Sequence, residues 1–233
     1  MPTSPSYVNH TAQRNDTATA VPSVAVPGGV VDGQVLLACL SLDDSALNTI
    51  TPPSGFSLLR TASTASPADV QSLHLFAKLA AGETGPYVFT LNGSAVRNSL
   101  IVVAYSGAKL PTIGQTSINS TNTNTGDPTT AIAAAITTTS AENTIVNFTA
   151  SDDTGGVTAI THPTGYAERY DSAGGASNAV EFSDIAQSAA GSTGAVTTSI
   201  IGGTQVAWLV AMVALEPLDV NDGTYQLTSD LYF

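Results

Sequence analysis

Very few side chains in this protein could do chemistry. Its three histidines, His10, His74 and His162, stand far apart, and its single cysteine, Cys39, sits inside the apolar run Val35-Leu36-Leu37-Ala38-Cys39-Leu40. A nucleophilic Ser or Cys needs an adjacent base, and the chain has no Gly-x-Ser-x-Gly turn to present one. His74 is expected on a strand among solvent-side residues and His162 just ahead of a turn proline, so each histidine is expected to have a structural or surface role. Cys39 reads as a small core hydrophobe, and a lone cysteine allows no intrachain disulfide.

Zinc ligation fails for lack of clustered His and Cys. Calcium would need several carboxylates and carbonyls to converge, and the candidates are Asp43-Asp44, Asp152-Asp153-Thr154-Gly155 and Asp171 near Gly174-Gly175. Asp219-Val220-Asn221-Asp222-Gly223 has the start of an EF-hand loop but is one residue short before its Gly and lacks the closing Glu. Solvated loop Asp is the commoner outcome for such residues. A glycosidase needs two carboxylates at a fixed separation and usually exposed aromatics, whereas Trp208 lies inside an apolar run. The reading is therefore a protein that is not an enzyme, with no catalytic residue, no cofactor site and no metal site.

The elements that must carry these residues are strands. Of the 233 residues 42% are hydrophobic and only 10% charged, enough to bury a sizeable core. The remainder is rich in Thr, Ser and Gly, and β-branched residues favour pleated, half-buried surfaces. Eighteen acids against six scattered bases give a formal charge of −12. No basic stripe exists to release phosphate counterions, so nucleic acid and anionic membranes are poor partners. Residues 1–16 lack the basic and apolar regions of a secretion signal, and no apolar stretch reaches transmembrane length. Synthesis in a cytoplasm is expected.

Internal similarity comes next. Ala80-Ala81-Gly82-Glu83-Thr84-Gly85 returns as Ala189-Ala190-Gly191-Ser192-Thr193-Gly194, with Gly82 and Gly191 109 apart (191 − 82), and Asp43-Asp44 returns as Asp152-Asp153 at the same offset. Pro53-Ser54-Gly55-Phe56 returns as Pro163-Thr164-Gly165-Tyr166, one residue out of step. In these turns Pro sets φ and Gly permits positive φ, so that an inward aromatic can open the next strand.

Each repeat reads as about six short strands, in the first near residues 18–26, 34–42, 55–60, 70–79, 86–91 and 98–106. Leu73, Leu75, Ala77 and Leu79 alternate with Ser72, His74, Phe76 and Lys78, as in a strand with one solvated face. Leu100 to Tyr105 and Trp208 to Leu215 are continuously apolar, as in central strands covered on both faces. Two small sandwiches and one large sandwich of about twelve strands both satisfy this pattern, with mutual burial of the halves favoured. Residues 117–128 read as a long polar surface loop between the repeats.

The fold class is thus all-β, an antiparallel, jelly-roll-like β-sandwich of two tandem repeats. Its parts are an N-terminal arm (1–16), repeat one (17–112), repeat two (113–217) and a C-terminal arm (218–233) whose closing aromatics need cover, either by docking on the chain's own sandwich or by strand addition to a neighbouring subunit. The order of apolar strand, Asp-rich loop, Pro-x-Gly-aromatic turn, Ala-Gly turn and final apolar strand, duplicated over residues 17–217, resembles virion proteins of tailed phages and prophages. The resemblance implies a non-enzymatic β-sandwich displayed on a capsid, fibre or tail, made in the host cytoplasm without a signal peptide. Its implied partners are other virion proteins and copies of itself. The alternative is a glycan-binding or receptor-binding module contacting a host surface through polar loops.

Overall fold

The computed structural model describes residues 3–43, 48–64, 71–121, 130–172, 176–202 and 205–218. The described chain is all-β with antiparallel pairing throughout, and its one helical element is a 3-10 turn at Ile113–Gln115. The first half contributes β1 (Ser6–Thr19), β2 (Ser23–Val24), β3 (Val35–Asp43), β4 (Ile50–Thr51), β5 (Ser57–Ser63), β6 (Gln71–Leu79), β7 (Tyr87–Val88), β8 (Thr90–Leu91) and β9 (Val96–Ser106). The second contributes β10 (Thr116–Thr121), β11 (Thr130–Ala133), β12 (Thr137–Thr138), β13 (Asn143–Val157), β14 (Ala159–Thr161), β15 (Ala167–Asp171), β16 (Ala176–Gln187), β17 (Gly191–Ser192), β18 (Val196–Ile201) and β19 (Gln205–Leu215).

Two five-stranded sheets dominate, ordered β1-β9-β3-β6-β5 and β10-β19-β13-β16-β15. Each places its first strand at one edge and its last strand second, so β9 and β19 are interior strands, as their unbroken apolar runs require. Val35, Leu37, Leu75, Ile101 and Tyr105 of one sheet share a single buried cluster with Phe148, Phe182, Leu209 and Val213 of the other. The opposite face of the first sheet, with Leu36, Leu40 and Val102, is covered by Val24, Phe56, Tyr87, Phe89 and Leu91 from its own short strands and turns. Ala131, Ile136, Ile160, Val196 and Ile200 cover the second sheet in the same way. The result is four stacked layers, and the choice between two sandwiches and one resolves into a central sandwich made by both halves with a cover on each outer face.

Several local expectations hold in the geometry. Phe56 N–H donates to Pro53 O at 3.2 Å and Tyr166 N–H to Pro163 O at 3.1 Å, with Gly55 and Gly165 at φ +86° and +87°. These are turns that only glycine fits without strain. Cys39 lies buried in the central cluster, where burial pushes its thiol well up.

Three expectations are corrected. Residues 6–19, within and just beyond the expected N-terminal arm, are strand β1, laddered along β9 from Ser6 opposite Ser106 to Thr19 opposite Val96. An edge strand with much of its surface in solvent shows neither an apolar run nor clean alternation, so its polar sequence concealed it. Thr116–Thr121 likewise forms edge strand β10 against β19, not the start of a loop. The outer face of β6 is not solvated: Ser72, His74 and Phe76 are buried beneath the cover, and His74 pairs its ring nitrogens with Thr61 Oγ1 at 3.0 Å and Ser72 Oγ at 3.1 Å. Residues 122–129 and all but the first residue of the C-terminal arm lie outside the described residues, as do Asp44, Gly174, Gly175 and the Asp219-to-Gly223 segment.

Candidate functional site

The central core is tied across the halves at both ends. At one end Ser41 Oγ donates to Asn178 Oδ1 at 2.9 Å, Gln71 Nε2 to Ser41 Oγ at 3.1 Å, and Ser99 Oγ to Asn178 O at 2.7 Å, all buried. At the other end the Tyr105 hydroxyl donates to Asp184 Oδ2 at 2.8 Å, and Arg169 grips the same carboxylate through Nε at 3.0 Å and Nη2 at 2.9 Å. The Arg169 guanidinium lies 4.5 Å from the Tyr7 ring centroid, and the Tyr7 hydroxyl meets His10 Nδ1 at 2.7 Å. Burial first, then the Asp184 carboxylate, holds the Tyr105 phenol well above its ordinary range. Burial also lowers the His10 imidazole. The knot contains a histidine and a carboxylate but no free nucleophile, because each polar atom named is spent on joining β1, β9, β15 and β16.

Asp184→Ala would leave the Tyr105 hydroxyl buried without an acceptor and Arg169 without its fork. Arg169 is about one third exposed (32%) and can recover water, so the expected loss is about 2 kcal/mol, against about 1 kcal/mol for Tyr105→Phe. Urea denaturation of both variants and the double variant checks this, with strongly sub-additive losses expected.

The halves differ most on their outer faces. In the first half the ladder sets Leu36 opposite Lys78, Ala38 opposite Phe76 and Leu40 opposite His74. At the corresponding rungs of the second half stand Ile145 opposite Ile185, Asn147 opposite Ser183 and Thr149 opposite Glu181. The turn glycines fix the correspondence independently: a Cβ on Gly55 would meet Lys78 Cε at 3.2 Å, and one on Gly165 would meet Ile185 Cδ1 at 3.5 Å. Both turns lead into an edge ladder interrupted at the same place, between Leu58 and Arg60 and between Glu168 and Tyr170.

Over this face the first half is plugged. Phe76 and Phe89 pack at 5.3 Å, and Phe56 and Tyr87 meet edge to face at 5.3 Å. Lys78 Nζ lies 5.5 Å from the Phe56 ring centroid and 2.7 Å from Glu83 Oε1, while the Tyr87 hydroxyl donates to Glu83 Oε2 at 2.7 Å. The second half has Tyr166 where Phe56 stands, Ile185 for Lys78 and Ser192 for Glu83. Four and six residues past Ser192, Val196 and Thr198 take the places of Tyr87 and Phe89. Ion pair and aromatic stack are both gone.

Two features result. At the Ile185 end a groove of about 740 Å³ opens between the Pro163-to-Tyr166 turn, the end of β16 and the β17 to β18 segment, within the ~300–1,000 Å³ typical of small-molecule sites. No charged side chain lines it. The Tyr166 hydroxyl turns inward to Met212 Sδ at 3.9 Å, leaving ring surface to the groove, and burial pushes its phenol up to about 12. Gln187 Nε2 donates to Ala189 O at 3.0 Å, while its buried Oε1 has no hydrogen-bond partner.

Deeper under the same cover lies a polar cluster. Asn147 Nδ2 donates to Thr149 Oγ1 at 3.2 Å and Thr198 Oγ1 at 3.3 Å, yet Asn147 Oδ1, Ser183 Oγ and both carboxylate oxygens of the fully buried Glu181 make no hydrogen bond of normal geometry. Burial pushes the Glu181 carboxyl up to about 8; neighbouring Ser183 and Asn147 oppose the shift, and the charges of Glu168 and Asp171 add to it.

The residues singled out in the sequence are scattered. His10 is in the knot, His74 is under the first cover, and His162 pairs with Glu168 at 3.0 Å on the surface. Asp43 pairs with Arg97, Asp171 Oδ2 accepts from Ile160 N–H at 3.2 Å, and Asp152 is buried in β13. Among the described residues no three His, Cys, Asp or Glu side chains converge as a metal site, and no helix is long and apolar enough to cross a membrane. Tyr166, Glu181 and Gln187 went unnoticed as site residues because only the contrast between equivalent ladder positions marks them. Comparison with family models, with curated proteins and with solved structures finds no match to this chain.

Proposed function

We propose that this chain is a non-enzymatic structural protein displayed on a bacteriophage virion, as a capsid decoration, fibre or tail component, working with other virion proteins and copies of itself. The observation that carries the reading is the shared central core, pinned by polar ties at both ends. Such a body spends its polar residues on rigidity, which suits a part that holds its shape on a particle after release. The strand and turn order that resembles tailed-phage virion proteins supports the same reading. Mass spectrometry and immunolabelling of purified particles test it: the expected result is this chain in stoichiometric copies, and particles that lack it overturn the proposal.

A second reading, a glycan-binding module, is favoured by the uncharged groove beside Tyr166. It is compatible with the first, since an outward-facing virion protein can also touch the host.

A further inference from the structure

We propose that the groove beside Tyr166 is a binding site for a neutral pyranoside sugar, a deepening that rests on the glycan-binding reading.

The groove's chemistry selects the ligand class. Its apolar surface is supplied by the Tyr166 ring with Ile185 and Val196, and its polar surface by the Gln187 amide and the hydroxyls of Thr193 and Thr197. A pyranose presents the matching pair of surfaces, a face of C–H groups that packs on an aromatic ring and a rim of hydroxyls that both donate and accept. Gln187 lines the groove and its Oε1 is a buried acceptor without a partner, so a ligand hydroxyl that reaches it once the amide turns toward the groove supplies the hydrogen bond it lacks. No Lys or Arg lines the groove, and the chain's formal charge is −12, which disfavours sialylated or sulfated sugars.

The first half supplies the internal comparison. There the equivalent space is taken by Lys78 and Glu83, whose side chains are only 11% and 8% exposed, wedged between Phe56 and Tyr87. One half has spent this position on packing, and the other has left it open as a groove.

Isothermal titration of the full chain with the methyl glycosides of glucose, galactose, mannose and N-acetylglucosamine tests the proposal, with N-acetylneuraminic acid and a sulfated galactoside as anionic arms. Saturable binding of at least one neutral glycoside is expected, with the anionic ligands weaker. Tyr166→Ala is expected to weaken it at least about tenfold, and Tyr166→Phe to retain it. The double variant I185K/S192E, which installs the first half's ion pair, is expected to abolish binding while the chain stays folded; Gln187→Ala serves as a further variant should the double one fail to fold. Saturable binding by none of the neutral glycosides, preference for the anionic ligands, or unchanged affinity in the folded variants would overturn the proposal. Particle fractionation separates this from the virion reading: a chain found on particles that binds no sugar sinks only the groove, and a sugar-binding chain missing from particles sinks only the virion role.

Discussion

Residues 1–112 expressed alone will not give a soluble, cooperatively folding fragment. Cutting there strips the inner face of the first sheet, where Leu37, Leu73, Leu75, Ile101, Val103 and Tyr105 are wholly buried against the other half. Each such side chain is worth roughly 1.5–3 kcal/mol when buried, so losing the cover of six costs about 9–18 kcal/mol, comparable with the whole 5–15 kcal/mol stability of an ordinary domain. The outer cover of the first half remains, but it protects only the opposite face. Size-exclusion chromatography and a urea transition on the fragment, beside the full chain, check the prediction. A monomeric fragment with a cooperative transition would contradict it. Co-expression with residues 113–233 is expected to rescue both pieces, because the missing partner is the other sheet.

Glu181→Gln is expected to stabilise the protein, increasingly so as pH rises from 5 to 8. An unfolded glutamate ionises near 4.3, whereas burial lifts the folded group to about 8. Between those values the native state holds a proton that the unfolded chain has released, so stability falls with rising pH across that window and levels off above it. The amide isostere removes this dependence while filling the same space, and its NH2 can donate to the unpartnered Asn147 Oδ1. The expected gain is about 3–5 kcal/mol at pH 8, falling to about 1 kcal/mol at pH 5. Urea midpoints of both proteins across that range read it directly. Parallel pH profiles would show that Glu181 does not carry the shift.

Much of this fold was legible in the sequence because the relevant physics is local. Pro53-Ser54-Gly55-Phe56 and Pro163-Thr164-Gly165-Tyr166 announce their turns by backbone chemistry alone, and the runs ending at Tyr105 and Leu215 announce interior strands by lacking alternation. Tyr87, Phe89 and Leu91 also alternate with the exposed Val88 and Thr90, and all three are buried. Edge strands escaped for the converse reason. Pairing on one side only leaves β1 and β10 with the polar composition of loops. His74 was misassigned because Ser and His beside a clean Leu stripe look solvated, and only cover from residues distant in the sequence buries them.

The sequence by itself determined an antiparallel β protein poor in cations, since period, turn residues and charge count are properties of neighbours in the chain. Tertiary structure alone decided that the halves share one core, and that the same rung of two ladders is filled by Lys78 and Glu83 in one half and left as a groove beside Tyr166 in the other. The physical reason is that an open groove is a deficit of volume among residues contributed by several elements, here Pro163 to Tyr166, Ile185 to Gln187 and Ser192 to Thr197, and no short window of sequence contains it.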